Sequence, residues 1–150
     1  MTSPTLTPQS SALPSTLSSM PSPMAPATLP VTGTGIILFA HGSRDALWRV
    51  PIEAVAATLR QRQPGTWVSC AYLELCEPSL PDAAGALVAA GCDQLRIFPL
   101  FLGVGKHARE DLPLLVARIR ASHPGIGVEL MATAGEHPAL IALMADLALA

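Results

Sequence analysis

A chain of 150 residues, half of them hydrophobic and 13% charged, is long enough for one domain with a buried core. Nine Lys/Arg against eleven Asp/Glu leave a net charge of -2, which excludes the basic footprint of a nucleic-acid binder. Cys70, Cys76 and Cys92 form no CxxC pair and are odd in number, and no apolar run reaches the roughly 18–20 residues a bilayer requires. The thiols read as small buried residues of a reducing compartment, and a soluble cytoplasmic domain is expected.

The first 32 residues differ in kind from the rest. Seven of the first 30 are proline, and no Asp, Glu, Lys or Arg precedes Arg44. Such a stretch buries too little apolar surface to offset its ordering entropy, so 1–32 reads as a disordered extension. It has neither the basic start and apolar segment of a signal peptide nor the arginines of a mitochondrial transit peptide. Residues 33–150 are the expected domain.

From Gly35 the chain alternates strand and helix. Ile36-Ile37-Leu38-Phe39-Ala40 is an unbroken apolar run, the pattern of a strand buried on both faces, and Gly42 permits a sharp turn after His41. Asp45 is placed to cap a helix over Ala46–Gln63, with Leu47, Val50, Ala54, Val55 and Thr58 or Leu59 as its apolar stripe. Pro51 either kinks that helix or marks its start. Trp67–Leu73 reads as the second strand, and Pro78 or Ser79 opens a helix over Leu80–Ala90 that Gly91 stops. Gln94–Pro99 is the third strand, followed by an apolar loop, Leu100–Gly105, with glycine hinges. A third helix covers Ala108–Ser122, with Leu112, Leu115, Val116 and Ile119 on one side. Ile126–Met131 is the fourth strand and Pro138–Leu149 the last helix. Four strand–helix pairs predict an α/β fold in three layers, a parallel four-stranded sheet flanked by helices. The pattern itself does not give the order of the strands; a flavodoxin-like 2-1-3-4 is expected because it places the opening strand centrally.

Parallel strands bring their carboxyl ends to one edge, where ligands bind in open α/β sheets. His41 follows the first strand directly, Glu74 the second, and Lys106-His107 the third after its loop. Two imidazoles and a carboxylate form a ligand set for a borderline divalent metal such as Co, Ni, Fe or Zn, and equally a set of bases. Glu77 competes with Glu74 as the carboxylate, and His107 has the alternative of simply beginning its helix. Asp111 better suits the helix start or the support of an imidazole. His137 returns to the same edge and suits a cap or a substrate contact, whereas His123 lies at the opposite edge and is read as structural. Arg44, Arg49, Lys106 and Arg109 are four of the nine Lys/Arg and lie near this edge in sequence. Clustered cations suit a carboxylate-bearing ligand, ordinary surface charge being the alternative. The apolar Leu100–Val104 loop beside them suits a large flat ligand.

The blocks Ala40-His41-Gly42-Ser43-Arg44, Leu73-Glu74 with Glu77-Pro78-Ser79, Pro99-Leu100-Phe101-Leu102 with Gly105, His107, Asp111 and Pro113, and Gly135 with His137-Pro138 occur in that order. Together they resemble the sirohydrochlorin chelatases, the small class II chelatases of cobalamin and siroheme synthesis, over about Gly35–Leu147. The resemblance implies a fold similar to one half of the larger ferrochelatase-type enzymes. It also implies an ATP-independent lyase that inserts Co2+, Fe2+ or Ni2+ into the tetrapyrrole sirohydrochlorin, the metal being a substrate and no organic cofactor taking part. Carried over by position, the metal-binding and catalytic residues fall on His41, His107 and Glu74. Ser43, Arg44, Lys106 and Arg109 are then the expected contacts of the tetrapyrrole's acidic rim. Many relatives carry two such domains around a cleft, so one domain implies a symmetric homodimer. A non-catalytic metal or tetrapyrrole carrier, or one half of a hetero-oligomeric chelatase, is the alternative; neither nucleic acid nor membrane is an expected partner.

Overall fold

The apolar run at the start of the domain forms strand β1 (Thr34–Ala40) at the heart of the sheet in the computed structural model, which describes residues 33–150. The expected disordered extension, 1–32, lies outside the described residues. β1 pairs in parallel with β2 (Trp67–Tyr72) on one side and β3 (Gln94–Pro99) on the other, and β4 (Gly127–Leu130) completes the order β2-β1-β3-β4. Leu38 stands opposite Cys70 of β2 and Phe98 of β3. The three-layer parallel fold and the strand order expected from the sequence are both found.

β1 shows no alternation because both of its faces are covered. Ile37 and Phe39 enter the larger core with α2 (Leu80–Ala89) and α3 (Lys106–Ser122), while Leu38 enters the smaller one with α1 (Val50–Arg62). The Ser79 hydroxyl caps α2 by accepting from the Asp82 N–H at 3.3 Å. The expected stripe of α3 is correct: Leu112, Val116 and Ile119 are buried, with Leu115 packed beside them.

The expected stripe of α1 holds only at Leu59. Asp45 does act as a cap, its Oδ1 accepting from the Leu47 N–H at 2.9 Å, but it caps a separate 3-10 turn over Ala46–Arg49. α1 then starts at Val50 with Pro51 in its first turn, where the missing N–H is not needed. That start sets the helix phase anew. Leu47, Val50 and Val55 face outward, and Ile52, Ala56 and Leu59 pack on Leu38 and Val68. The last helix, α4 (Pro138–Leu149), keeps its expected bounds and buries none of its residues. No helix among the described residues is long and apolar enough to cross a membrane.

Candidate active site

β1 ends at Ala40 and leaves His41 exposed above the carboxyl edge of the sheet. Parallel pairing continues past the strands, since the Leu73 N–H donates to the Ala40 carbonyl at 2.9 Å and the Glu74 N–H to the His41 carbonyl at 3.0 Å. This ties Glu74 beside His41 through the backbone. Gly42 turns with φ 99°, and a Cβ there would overlap the Glu74 carbonyl oxygen, so glycine is required for the close approach. Leu75 follows at φ 67°, a left-handed conformation costing about 1–2 kcal/mol, and turns the chain away immediately after Glu74. Tyr72, the last residue of β2, remains a neutral phenol, burial pushing its pKa up to about 12.

The third side of the site comes from the loop after β3. The Leu100 N–H donates to the Phe39 carbonyl at 2.7 Å, and this draws the loop over the core. Phe101 is therefore a core plug, edge-on to Phe39 with centroids 5.7 Å apart, and the His41 imidazole lies over it at 4.3 Å. The loop expected to offer an apolar platform is divided: Phe101 points inward and Leu102 outward, 68% exposed. α3 begins at Lys106, two residues earlier than expected, so His107 lies in its first turn behind Gly105, and no side chain caps that end.

His41, Glu74 and His107 line one pocket of about 470 Å3 with Gly105, Lys106 and Asp111. Glu77 is elsewhere, lining a cleft outside β2, with its Oε2 accepting from the Ser79 N–H at 3.1 Å. Of the two carboxylates, Glu74 is the one that shares a pocket with His41 and His107. The three side chains share the pocket, although among the described residues no group of three or more His, Cys, Asp or Glu is found already drawn together as a metal cluster.

The cations are more scattered than their sequence positions suggested. Lys106 lines the pocket, its Nζ 4.0 Å from Glu110 Oε1. Arg109, one turn on, faces an adjoining cavity of about 450 Å3 bordered by Leu102, Met131 and Glu136. Arg49 turns toward the cleft outside β2 with Glu53 and Arg60, because the 3-10 turn carries it to the other side of the sheet edge. Arg44 is exposed and Ser43 half-buried, and neither lines the pocket; the Ser43 Oγ accepts from the Asp45 N–H at 3.1 Å. His123 caps the C-terminus of α3, and His137 stands at the N-cap of α4, edge-on to Phe98 at 5.6 Å. Phe101 is the residue that sequence reasoning missed as part of the site, its signal being a lone aromatic within a glycine-hinged loop.

The CbiX family matches this chain over residues 35–149. The chloroplastic sirohydrochlorin ferrochelatase of Arabidopsis thaliana is 31% identical over 112 residues, which are 75% of this chain and 50% of that protein. A CbiX protein from Marinobacter aquaeolei VT8 superposes with a TM-score of 0.68 and 34% identity, over 77% of this chain and 94% of that one. The sirohydrochlorin chelatase SirB from Bacillus subtilis subspecies spizizenii, crystallised with cobalt, superposes with a TM-score of 0.60 and 25% identity, over 67% of this chain and 43% of its own. The chain spans about half the length of the curated relatives it matches first.

Proposed function

The chain belongs to the CbiX family, and from that premise we propose that it is a chelatase inserting a divalent metal, cobalt or iron with nickel as a third candidate, into sirohydrochlorin. The observation that carries the reading is the convergence of His41, Glu74 and His107, from the ends of three neighbouring strands, on one pocket. The relatives named for cobaltochelatase and ferrochelatase activity, and the SirB structure holding cobalt, support the choice of metals.

Insertion exchanges one M2+ for two pyrrole protons: two N–H bonds break, the metal leaves its protein ligands for the ring nitrogens, and no electron is transferred. His41 and His107 bind the metal and accept those protons in turn, with Glu74 as the anionic ligand or second acceptor, and the protons pass on to water. Lys106 and the uncapped N-terminus of α3 favour an anionic ring periphery. Arg109, Ser43 and Arg44, outside the pocket, are assigned to carboxylates of a ring wider than the pocket itself. A second copy of the chain supplies the facing wall, as a homodimer, and the three unpaired cysteines suit the reducing cytoplasm.

The test is anaerobic absorbance of sirohydrochlorin with the purified chain and Co2+, Fe2+ or Ni2+. Multiple turnovers per chain are expected, reduced about 100-fold or more by His41→Ala or His107→Ala. Tight tetrapyrrole binding with no rate above the metal-only control would instead support a carrier.

A further inference from the structure

Glycine is demanded by the backbone at some positions of this fold and not at others. At Gly42 the φ of 99° and the Glu74 carbonyl oxygen require it, and at Gly135 a Cβ would overlap the Leu102 carbonyl oxygen. Gly105 meets neither requirement. Its φ of −67° and ψ of 163° suit any residue, and a Cβ there would find nothing within 4 Å. It is the N-cap of α3, where serine, aspartate or asparagine would hold the helix better, and it leaves that end without a side-chain cap. Glycine also loses more conformational freedom on folding than any other residue. Local structure and stability therefore both favour a side chain at this position. Gly85, Gly103 and Gly125 are as open, but among the described glycines Gly105 alone lines the pocket of His41, Glu74 and His107.

We propose that the missing side chain at Gly105 is what lets the plane of the tetrapyrrole come within metal-transfer distance of the histidines. The inference deepens the chelatase reading and rests on it. A metal passing directly from an imidazole nitrogen to a ring nitrogen holds a bond of about 2.0–2.1 Å to each at the moment of exchange, so the two nitrogens stand no more than about 4 Å apart. A flat ring that comes so near His107 also comes against the backbone two residues before it, where carbons meet at about 3.5–4.0 Å. A methyl at Gly105 would stand about 1.5 Å out from the backbone in that space and hold the ring off by a similar distance. The metal would then have to leave one nitrogen before it reached the other. Position 105 thus sets how near the ring comes while the metal ligands stay as they are.

The test compares Gly105→Ala and Gly105→Ser with wild type and with Gly85→Ala, which adds the same methyl inside α2 and away from the pocket. Steady-state insertion of Co2+ into sirohydrochlorin is measured beside Co2+ binding by the full chain, denaturant midpoints and sedimentation velocity. Gly105→Ser separates rate from folding, since serine caps α3 and should raise the midpoint. The expected result is a kcat about 10- to 100-fold lower in both Gly105 variants, with the larger loss for serine. Co2+ affinity and sedimentation should match wild type, and Gly85→Ala should keep the wild-type rate. A Gly105→Ser chain that turns over like wild type overturns the proposal and leaves the chelatase reading standing. A rate loss matched by an equal loss of Co2+ affinity overturns it as well, because the substitution would then act on the metal ligands. A changed sedimentation coefficient overturns it by assigning the open space to a protein neighbour. A wild-type chain with no rate above the metal-only control fails the chelatase reading itself and takes the proposal with it.

Discussion

The imidazole of His41 lies across the ring of Phe101, with centroids 4.3 Å apart and planes tilted by 40°. Phe101 is 1% exposed and stands edge-on to Phe39, so an aromatic stack rises from the core and ends on the histidine at the carboxyl edge. The ring supports the imidazole from below and narrows its rotation. Phe101→Leu keeps an apolar plug but removes the aromatic surface. Stability should fall by about 1–2 kcal/mol in urea titrations. In the insertion assay kcat should fall about tenfold while KM for the tetrapyrrole holds. An unchanged kcat would reduce Phe101 to a core residue.

Gly42 and Glu74 are coupled through the backbone. A methyl at Gly42 would meet the Glu74 carbonyl oxygen, and the φ of 99° disfavours any side chain there. Gly42→Ala should cost about 2 kcal/mol or more and shift Glu74. Gly85→Ala is the contrast, since nothing lies within 4 Å of a Cβ inside α2, and helix propensity predicts a gain of about 0.5–1 kcal/mol. Denaturant midpoints of opposite sign relative to wild type are expected; a neutral Gly42→Ala would show that the turn is not needed.

The sequence made some of this legible for definite reasons. A short unbroken apolar run with β-branched and aromatic members, ended by glycine, suits a strand buried on both faces, so β1 could be read, and with it the edge where His41, Glu74 and His107 emerge; the strand order found, β2-β1-β3-β4, is not contained in the pattern and followed only from placing that strand centrally. The stripe of α3 could be read because its period is uninterrupted. The stripe of α1 could not, because an Asp45 side-chain bond to the Leu47 N–H makes a 3-10 turn whose pitch resets the helix phase. Whether Phe101 points in or out is a tertiary matter, fixed by the Leu100 N–H bond to the Phe39 carbonyl. The scatter of Arg49 and Arg109 has the same origin, since neighbours in sequence diverge once a turn or a helix rotates them. For α4, hydropathy announces a need for burial but not whether the same chain meets it.

Glu136 has a role in stability with a definite pH dependence. Its Oε2 accepts from the Thr133 N–H at 2.8 Å and from the Thr133 hydroxyl at 2.9 Å, and these bonds hold its carboxyl below the ordinary value of 4.5. The box fixes the turn that carries Ala134, which is buried. Because the folded state favours the ionised form, the contribution is fully present above the unfolded-state pKa and is lost as pH falls through the depressed folded one. Glu136→Gln should therefore melt below wild type at neutral pH, with the gap closing under acid conditions. Thermal melts across pH decide it; a gap independent of pH would assign the effect to shape rather than charge.

His41, Glu74 and His107 line one pocket, and the proposed insertion reaction requires that they hold the metal transiently. A structural metal supplies folding energy, so its removal unfolds the domain. Here the core of Ile37, Phe39 and Phe101 includes none of His41, Glu74 and His107. A chelator should leave the thermal midpoint unchanged. Added Co2+ should raise it by mass action, about 2.7 kcal/mol at a hundredfold excess over Kd, and His107→Ala should abolish much of that rise. A midpoint that drops by several degrees in chelator would mean that the trio holds its metal permanently, and a metal held that way could not be the one delivered to the ring.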